Sequence, residues 1–331
     1  MGLGSGIPPR QASGVRALVS QTAFAVRPIR EPGPVTLTTH CPSLRRALLS
    51  AQHEPSKTMG LHTGIEWCDS TCNPMMGCDG CELWTSRVGL DSGRYSLAKR
   101  TCYAGVQIER YEGRSSNFPM LFTEPVLYLH RLEQLAKWKD LAGKTREDKP
   151  WLNGLPRLVF LCDMGDPFTE SLPLTWLAPH LDFLGSLPHI MILLTKRPKR
   201  MVEFSRLHPF PKNFWLMASV TRGSNFSRAL ELLGVEGGGK LGISYEPALG
   251  PLPSLSTVAH RFGWFIAGGE SGPGAEPADP EWFRAARSTC LEHAVPFFFK
   301  QWGGVHKAST GRILDGQSYL EMPRAEARAA A

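Results

Sequence analysis

Short apolar runs of β type alternate with amphipathic helical stretches from residue 64 to near the end of the chain. This alternation is typical of parallel strands joined by helices, and it predicts one α/β domain built as a barrel of parallel strands. The predicted strands are 64–67, 158–162, 190–194, 214–219, 241–245, 264–267 and 296–299. The predicted helices are 102–111, 125–139, 173–186, 199–206, 225–233 and 281–293.

Polar residues follow several of these apolar runs directly. In a barrel of parallel strands the functional groups lie where strands pass into the following loops, so this placement predicts a site. The residues concerned are Asp163, Asp166, Lys196, Arg197, Ser219, Glu246, Glu270, Lys300 and Gln301. A single Asp or Lys in such a place is more often a helix cap or an ion pair, so the repetition across strands carries the prediction.

The first 58 residues differ in composition from the rest. They are rich in Gly, Pro, Ser, Ala and Arg and lack a helical or strand period, which predicts a disordered basic tail before a domain at 59–331. An Arg-rich, acid-poor start is also compatible with a transit peptide, or with an extended start in which Met59 is the real beginning.

Net charge and hydropathy narrow the class of protein. The formal charge is +7, and the tail contributes seven Lys or Arg against two Glu, so the domain itself is nearly neutral. A basic-domain argument for nucleic acid is therefore weak. No apolar run approaches a membrane span, and no secretory signal opens the chain, so we expect a soluble cytoplasmic protein that does not bind membranes.

Three cysteines form the strongest candidate metal site. Cys78 and Cys81 make a C-x-x-C pair, and Cys102 stands at the start of a predicted helix. Three thiolates leave one iron of a four-iron cluster open, whereas structural zinc fills all four positions and would need Cys68 or Cys72 as well. We rank an iron-sulfur cluster first and zinc second. A redox dithiol comes third, because CDGCELW does not open a helix after a strand.

The segment IEWCDSTCNPMMGC followed by CYAG resembles the phage-associated three-Cys-motif proteins, a family of unknown function related to radical SAM enzymes. The resemblance extends over about 64–323, through LCDMGDPF, LLTKRPKRM, FWLMASVT, ISYEPALGP, FIAGGESGPGAEP, FFFKQWGG and GRILDGQSYLEMP in that order. Ordered blocks of this kind are far more specific than one short motif.

The resemblance implies a radical-SAM-like TIM-type barrel, complete or partial, with a 4Fe-4S cluster on Cys78, Cys81 and Cys102 and S-adenosylmethionine on the open iron. It implies cofactor-binding roles for Gly268, Gly269, Glu270 and Ser219, and catalytic roles for Asp163, Asp166, Lys196, Glu246 and Lys300. Two features depart from the radical SAM pattern. The cysteines are split by a long insertion, and the GGE of residues 268–270 lies several strands later than the corresponding motif.

The expected function is therefore an iron-sulfur enzyme that uses S-adenosylmethionine to generate a radical on an unknown substrate. Nucleic acid or a modified nucleobase is a candidate substrate, and a partner protein encoded nearby is a candidate partner. Cys68, Cys72, Cys162 and Cys290 are expected to be packing residues.

The rival is a zinc- or cluster-stabilised nucleic-acid-binding module of phage or mobile-element origin without catalysis. Its binding surface would use basic and aromatic residues near the cysteines, namely Trp67, Trp84, Arg87, Arg94, Lys99, Arg100 and Tyr103.

Overall fold

Seven parallel strands in chain order form the main sheet of the computed structural model, which describes residues 60–85, 100–112 and 114–324 except the side chains of residues 307 and 308. All described residues belong to one compact unit, Pro55–Ala331. The expected tail at 1–58, including Cys41, lies outside the described residues, as do Arg87, Arg94 and Lys99.

All seven strands of the main sheet run in the same direction. Its strands are β1 (Ser70–Cys72), β4 (Leu158–Leu161), β5 (Ile190–Thr195), β6 (Phe214–Ser219), β7 (Lys240–Tyr245), β8 (Trp264–Gly268) and β9 (Phe297–Gln301). Each pairs in parallel with the next, so β1 and β9 are the two edges. A separate antiparallel pair joins β2 (Met75–Met76) to β3 (Val126–Leu127). The predicted parallel α/β fold is confirmed, and the sheet is an open half-barrel.

Alternate residues of each strand face two different cores, as the period of two in a strand requires. The concave face carries Phe160, Ile192, Trp215, Trp264 and Phe298, which pack together with Trp67. The opposite face carries residues such as Val159, Leu193 and Phe265, which pack on the helices. Burial on both faces explains why these strands read as continuous apolar runs.

Trp67 shows how strongly the sheet curls. Its ring centroid lies 4.8 Å from that of Phe160 in β4 and 6.0 Å from that of Trp264 in β8. In a flat sheet these two strands would be about 19 Å apart, since neighbouring strands are spaced by about 4.8 Å. One side chain therefore fills the hollow that the curled sheet creates.

The described residues form six α-helices, which are α1 (Tyr103–Tyr111), α2 (Leu181–Ser186), α3 (Pro198–Leu207), α4 (Ser227–Leu232), α5 (Pro280–Glu292) and α6 (Lys307–Thr310). The convex face is covered by α2 to α5, through side chains such as Leu184, Phe204, Leu232 and Phe283. In contrast, α1 packs in a separate cluster with Trp84 beside the cysteines. No helix in the described ranges combines the length and apolar character that crossing a membrane requires.

The first predicted strand, 64–67, is wrong. The first strand of the sheet is β1, three residues later, and 64–67 runs as an irregular segment. The buried ammonium of Lys149 donates hydrogen bonds to the carbonyls of Thr63, Ile65 and Cys68 at 2.8, 2.8 and 2.7 Å. A side chain thus satisfies backbone acceptors that a neighbouring strand would otherwise bond.

Two predicted helices are partly wrong in type. The stretch 125–139 begins with β3 and continues as a 3₁₀ helix, Leu129–Lys137, because Val126–Leu127 pairs with β2. In the stretch 173–186 only α2 and the 3₁₀ turn Ala178–His180 are helical. The other strands and helices lie within two residues of their predicted bounds.

Candidate functional site

A cavity of about 700 Å³ opens at the carboxyl ends of the strands. Eleven of the twelve residues to which the family resemblance gives a metal-binding, cofactor-binding or catalytic role line it, and so do the strand-end residues Arg197 and Gln301. The eleven are Cys78, Cys81, Cys102, Asp163, Asp166, Lys196, Ser219, Glu246, Gly269, Glu270 and Lys300. Gly268, the twelfth, is buried in β8 just below Glu246. The structure therefore brings together residues that are spread over more than 200 positions of the chain.

The concave face changes from aromatic to polar toward this cavity. Trp215 and Met217 of β6 are followed on the same face by Ser219, and Ser244 of β7 is followed by Glu246. Phe298 of β9 is likewise followed by Lys300. The packed aromatic residues fill the half-barrel below the cavity, and the polar groups of these strands lie at its carboxyl end.

Glu246 follows β7 and Lys300 belongs to β9, and the two side chains form an ion pair next to Gly268 of β8, the strand between them. The Lys300 Nζ lies 3.0 Å from the Glu246 Oε1. A Cβ on Gly268 would lie 2.8 Å from that oxygen, so the glycine leaves room for the pair. Burial works against the charge of Lys300, but Glu246 and Glu66 outweigh it and raise its pKa. The centre of the cavity therefore holds one fixed positive and one fixed negative group.

The C-x-x-C segment lies along one side of the cavity. Cys78 is buried, and its N–H donates to the Phe122 carbonyl at 2.8 Å. Cys81 and Trp84 exchange backbone hydrogen bonds of 3.1 and 2.9 Å, which close a tight turn. Gly80 has a φ of +97°, and a Cβ there would lie 2.5 Å from the Trp84 carbonyl. Glycine is therefore required between the two cysteines.

Cys102 reaches the same cavity from the beginning of α1. It is the residue before the first turn, and the N–H groups of Thr101 and Cys102 donate to the Leu83 carbonyl at 3.0 and 3.2 Å. Gly105 lies against the ring of Trp84, where a Cβ would come within 2.6 Å. Cys102 is thus held next to the turn that carries Cys81.

Two cations from the loop after β5 face the thiols. The Arg197 guanidinium donates to the Cys78 Sγ at 3.4 Å and to the Gly80 carbonyl at 2.8 Å. Burial raises the pKa of Cys78 to about 11, Asp166 adds to this, and Arg197 partly offsets it. Burial also raises the pKa of Cys81, and Lys196 opposes the shift. Both cations favour thiolate at this side of the cavity.

The two aspartates after β4 have different surroundings. Asp166 accepts hydrogen bonds from the Thr195 hydroxyl at 2.7 Å and the Lys196 N–H at 2.9 Å, and it pairs with Arg197 at 3.3 Å. It joins the ends of β4 and β5. Asp163 accepts from Asn73 at 2.6 Å and from the Tyr103 hydroxyl at 3.2 Å.

Burial raises the pKa of Asp163 to about 6, although hydrogen bonds from Asn73, Tyr103 and Thr71 favour its carboxylate. Its protonation state therefore changes close to neutral pH.

The loop after β8 runs beside the loop after β9. The Gly269 N–H donates to the Gln301 carbonyl at 3.0 Å, and the Gly304 N–H donates to the Glu270 carbonyl at 2.7 Å. A Cβ on Gly269 would lie 1.9 Å from the Trp302 carbonyl. The GGE segment is therefore shaped by this close contact, and Glu270 additionally accepts from the Glu276 N–H at 2.9 Å.

Several buried polar atoms of cavity residues have no hydrogen-bond partner. They are the Trp67 Nε1, Thr101 Oγ1, Ser271 Oγ and Gln301 Oε1. Buried polar groups are usually paired, so a cluster of unpaired ones around one cavity is suited to a polar ligand.

Residues 62–323 match the model of a family described as a protein of unknown function, DUF5131. The chain belongs to the DUF5131 family. No curated protein and no solved structure matches it. Membership of a family of unknown function was expected from the sequence blocks, and the cavity described above lies within the DUF5131 match.

The thiol side of this DUF5131 cavity offers the donor type that iron-sulfur clusters use. Cys78, Cys81 and Cys102 line one cavity, and cations face the thiols. In the described part of the chain, no three His, Cys, Asp or Glu side chains are arranged to hold a single metal ion.

The other described cysteines lie outside the cavity, and the aromatic residues near the thiols are packed or hydrogen-bonded. Cys68, Cys72, Cys162 and Cys290 are buried, and none of them lines the cavity. Trp67 and Trp84 are 2% and 5% exposed, so neither offers a face on which a nucleic-acid base could stack. Half of the Tyr103 surface is exposed, but its hydroxyl donates to Asp163.

Asp79, Glu82 and Arg228 are site residues that the sequence reasoning missed. The two acidic residues adjoin the cysteines in CDGCE and bond loops of other strands. Their position beside candidate ligands was a usable signal for Asp79 and Glu82. No local pattern marks Arg228. Ser244 was also missed, although it lies two residues before Glu246 and therefore on the same strand face.

Proposed function

We propose that this protein is a radical SAM-type enzyme in which Cys78, Cys81 and Cys102 hold a 4Fe-4S cluster. S-adenosylmethionine would bind beside the cluster, and the substrate is unknown. The observation that supports this most is that three cysteines and the polar strand-end side chains line one cavity at the carboxyl end of a parallel half-barrel. The proposed relationship is to the phage-associated three-Cys-motif proteins.

When bound, the cluster would supply the electron that splits S-adenosylmethionine and so provides a radical able to abstract hydrogen. The chain would contribute three thiolates to the cluster, which would leave one iron without a protein ligand and free to bind S-adenosylmethionine. Lys196 and Arg197 offset the negative charge of the thiolates.

The opposite side of the cavity is suited to the polar parts of a ligand. Glu246 and Lys300 offer one negative and one positive group, and Ser219, Gly269 and Glu270 lie beside them. Trp67 and Phe160 line the apolar part of the cavity and restrict the access of water to it. Exclusion of water is what a reactive radical requires.

The test is anaerobic reconstitution with iron and sulfide, followed by assay of iron, sulfide and zinc. We expect roughly four irons per chain and, with a reductant, release of methionine from S-adenosylmethionine. Stoichiometric zinc without iron, bound equally well in air, contradicts the proposal and favours the zinc-stabilised binding module.

Single Ala variants of the cysteines sharpen this test. Cys78→Ala, Cys81→Ala and Cys102→Ala should each lose the cluster, because each removes one of three ligands. Cys72→Ala and Cys290→Ala are matched controls, since both thiols are buried outside the cavity. If Cys72→Ala loses metal as completely as Cys102→Ala does, the site has four thiolate ligands and no open position.

A further inference from the structure

The segment from Cys78 to Glu82 lies across the carboxyl ends of three successive strands. Asp79 bonds the loop after β4, Gly80 bonds an arginine after β5, and Glu82 bonds residues after β6. The residues between and beside the two thiols therefore attach the segment to the sheet at three separate places.

The attachment at Asp79 uses one carboxylate oxygen. That oxygen accepts from the Thr169 hydroxyl at 2.6 Å and from the N–H groups of Glu170 and Ser171 at 2.5 and 3.0 Å. The Asp79 N–H lies 2.9 Å from the Thr169 hydroxyl oxygen. Hydrogen bonds to a carboxylate are the stronger kind, so the residue after Cys78 is firmly held.

The attachment at Glu82 is bidentate. Arg228 donates from its two terminal nitrogens to the two carboxylate oxygens at 2.8 and 2.9 Å. Thr221 and Asn225 donate to the same carboxylate at 3.3 Å each. The Arg228 and Glu82 side chains are 17% and 25% exposed, so this pair is largely shielded from water. A shielded bidentate pair fixes orientation as well as distance.

We infer that Asp79 and Glu82 are positioning residues that hold the C-x-x-C segment in its ligand conformation before any metal binds. Glu82, through Arg228, sets the position of Cys81, and Asp79 sets that of Cys78. The inference rests on the proposed function only in treating the thiols as ligands. The protein contacts that hold the segment are independent of which metal it takes.

The test measures alkylation of Cys81 in the metal-free full-length protein, followed by mass spectrometry of the Cys81 peptide. Glu82→Gln should raise the rate about five- to tenfold, because the segment opens more often once the charged pair is lost. Glu281→Gln is the matched control, since it makes the same change in an exposed pair with Arg284 on α5. That control should leave the rate unchanged.

Arg228→Ala separates positioning from simple electrostatics. Loss of the Glu82 charge favours the Cys81 thiolate, whereas loss of the Arg228 charge disfavours it. A purely electrostatic effect would therefore change the alkylation rate in opposite directions in the two variants. Release of the segment raises the alkylation rate of Cys81 in both variants. The rate in the double variant should be no higher than that in either single variant.

Asp79→Asn provides a second route that leaves the Glu82 pair intact, and it should raise the alkylation of Cys78. Thermal unfolding of each variant shows whether it has folded, and alkylation of the core residue Cys290 reports global opening. Unchanged rates in Glu82→Gln and Arg228→Ala, or rates that change in opposite directions, overturn the inference. These rates need neither iron nor S-adenosylmethionine, so the iron-sulfur proposal can fail without affecting this result.

Discussion

Charged side chains of the cavity are paired with one another more than their sequence positions indicate. Asp166 joins Arg197 and the end of β5, and Glu246 joins Lys300. Each of these pairs fixes the placement of a neighbouring group, so positioning is part of the role of each. Asp163 differs, because its hydrogen-bond partners Asn73 and Tyr103 carry no charge and burial raises its pKa to about 6.

Asp163→Asn tests the energetic consequence of that burial. An acid whose pKa is raised in the folded state stabilises the fold below its unfolded pKa, and this contribution is lost as the pH rises through the folded value. The wild type should therefore lose up to about 3 kcal/mol of stability, relative to the variant, between pH 4 and 8. Chemical denaturation at both pH values measures this difference.

Asp182→Asn on the exposed side of α2 is the control for Asp163→Asn, and it should show no such trend. A stability difference for Asp163→Asn that is the same at both pH values would mean that Asp163 is charged throughout this range. Its surroundings would then be better hydrated than the structure indicates.

At the scale of elements, the third cysteine depends on how α1 packs. The helix touches Trp84 through Gly105, and the ring is itself buried against Phe122 at a centroid distance of 5.1 Å. Cys102 precedes the first turn of α1, so any displacement of this helix moves the thiol. A small residue in the first turn of α1 is therefore a requirement of the site, although glycine disfavours the helix itself.

Gly105→Ala should consequently weaken the cluster while the rest of the fold persists. The added methyl would lie 2.6 Å from Trp84 ring atoms, and a buried ring cannot move away easily. We expect iron loss to a chelator to be at least about tenfold faster, because one of three ligands is displaced. Gly263→Ala is the control, since its Cβ would make only ordinary contacts of 3.6 Å and beyond. Equal iron loss in both variants would show that the helix can adjust.

At the scale of the whole molecule, the sequence predicts what depends on local pattern. Apolar runs identify β4 to β9, because strands buried on both faces need continuous apolar residues. Polar residues at strand ends identify the cavity for a similar reason. The structure departs from the sequence prediction where a contact with a residue distant in sequence determines the local conformation. Lys149 donates to the carbonyl of Ile65, 84 residues earlier in the chain, where a neighbouring strand would otherwise donate. Glu82 pairs with Arg228, 146 residues later in the chain.

The two functional readings predict different behaviour when metal is removed. A loop that is stabilised by zinc folds only when the metal binds, because the free energy of zinc binding then supplies the free energy of folding. In this protein, backbone turns and the contacts of Asp79, Arg197 and Glu82 hold the cysteine segment. The aromatic residues of the concave face pack below the cavity. We therefore expect the metal-free protein to stay folded, with native near-UV circular dichroism and a cooperative thermal transition. Metal should raise the transition temperature only by mass action on a folded site. If removing the metal instead abolishes the cooperative transition, the loop depends on the metal for its fold. The zinc-stabilised binding module then becomes the better account.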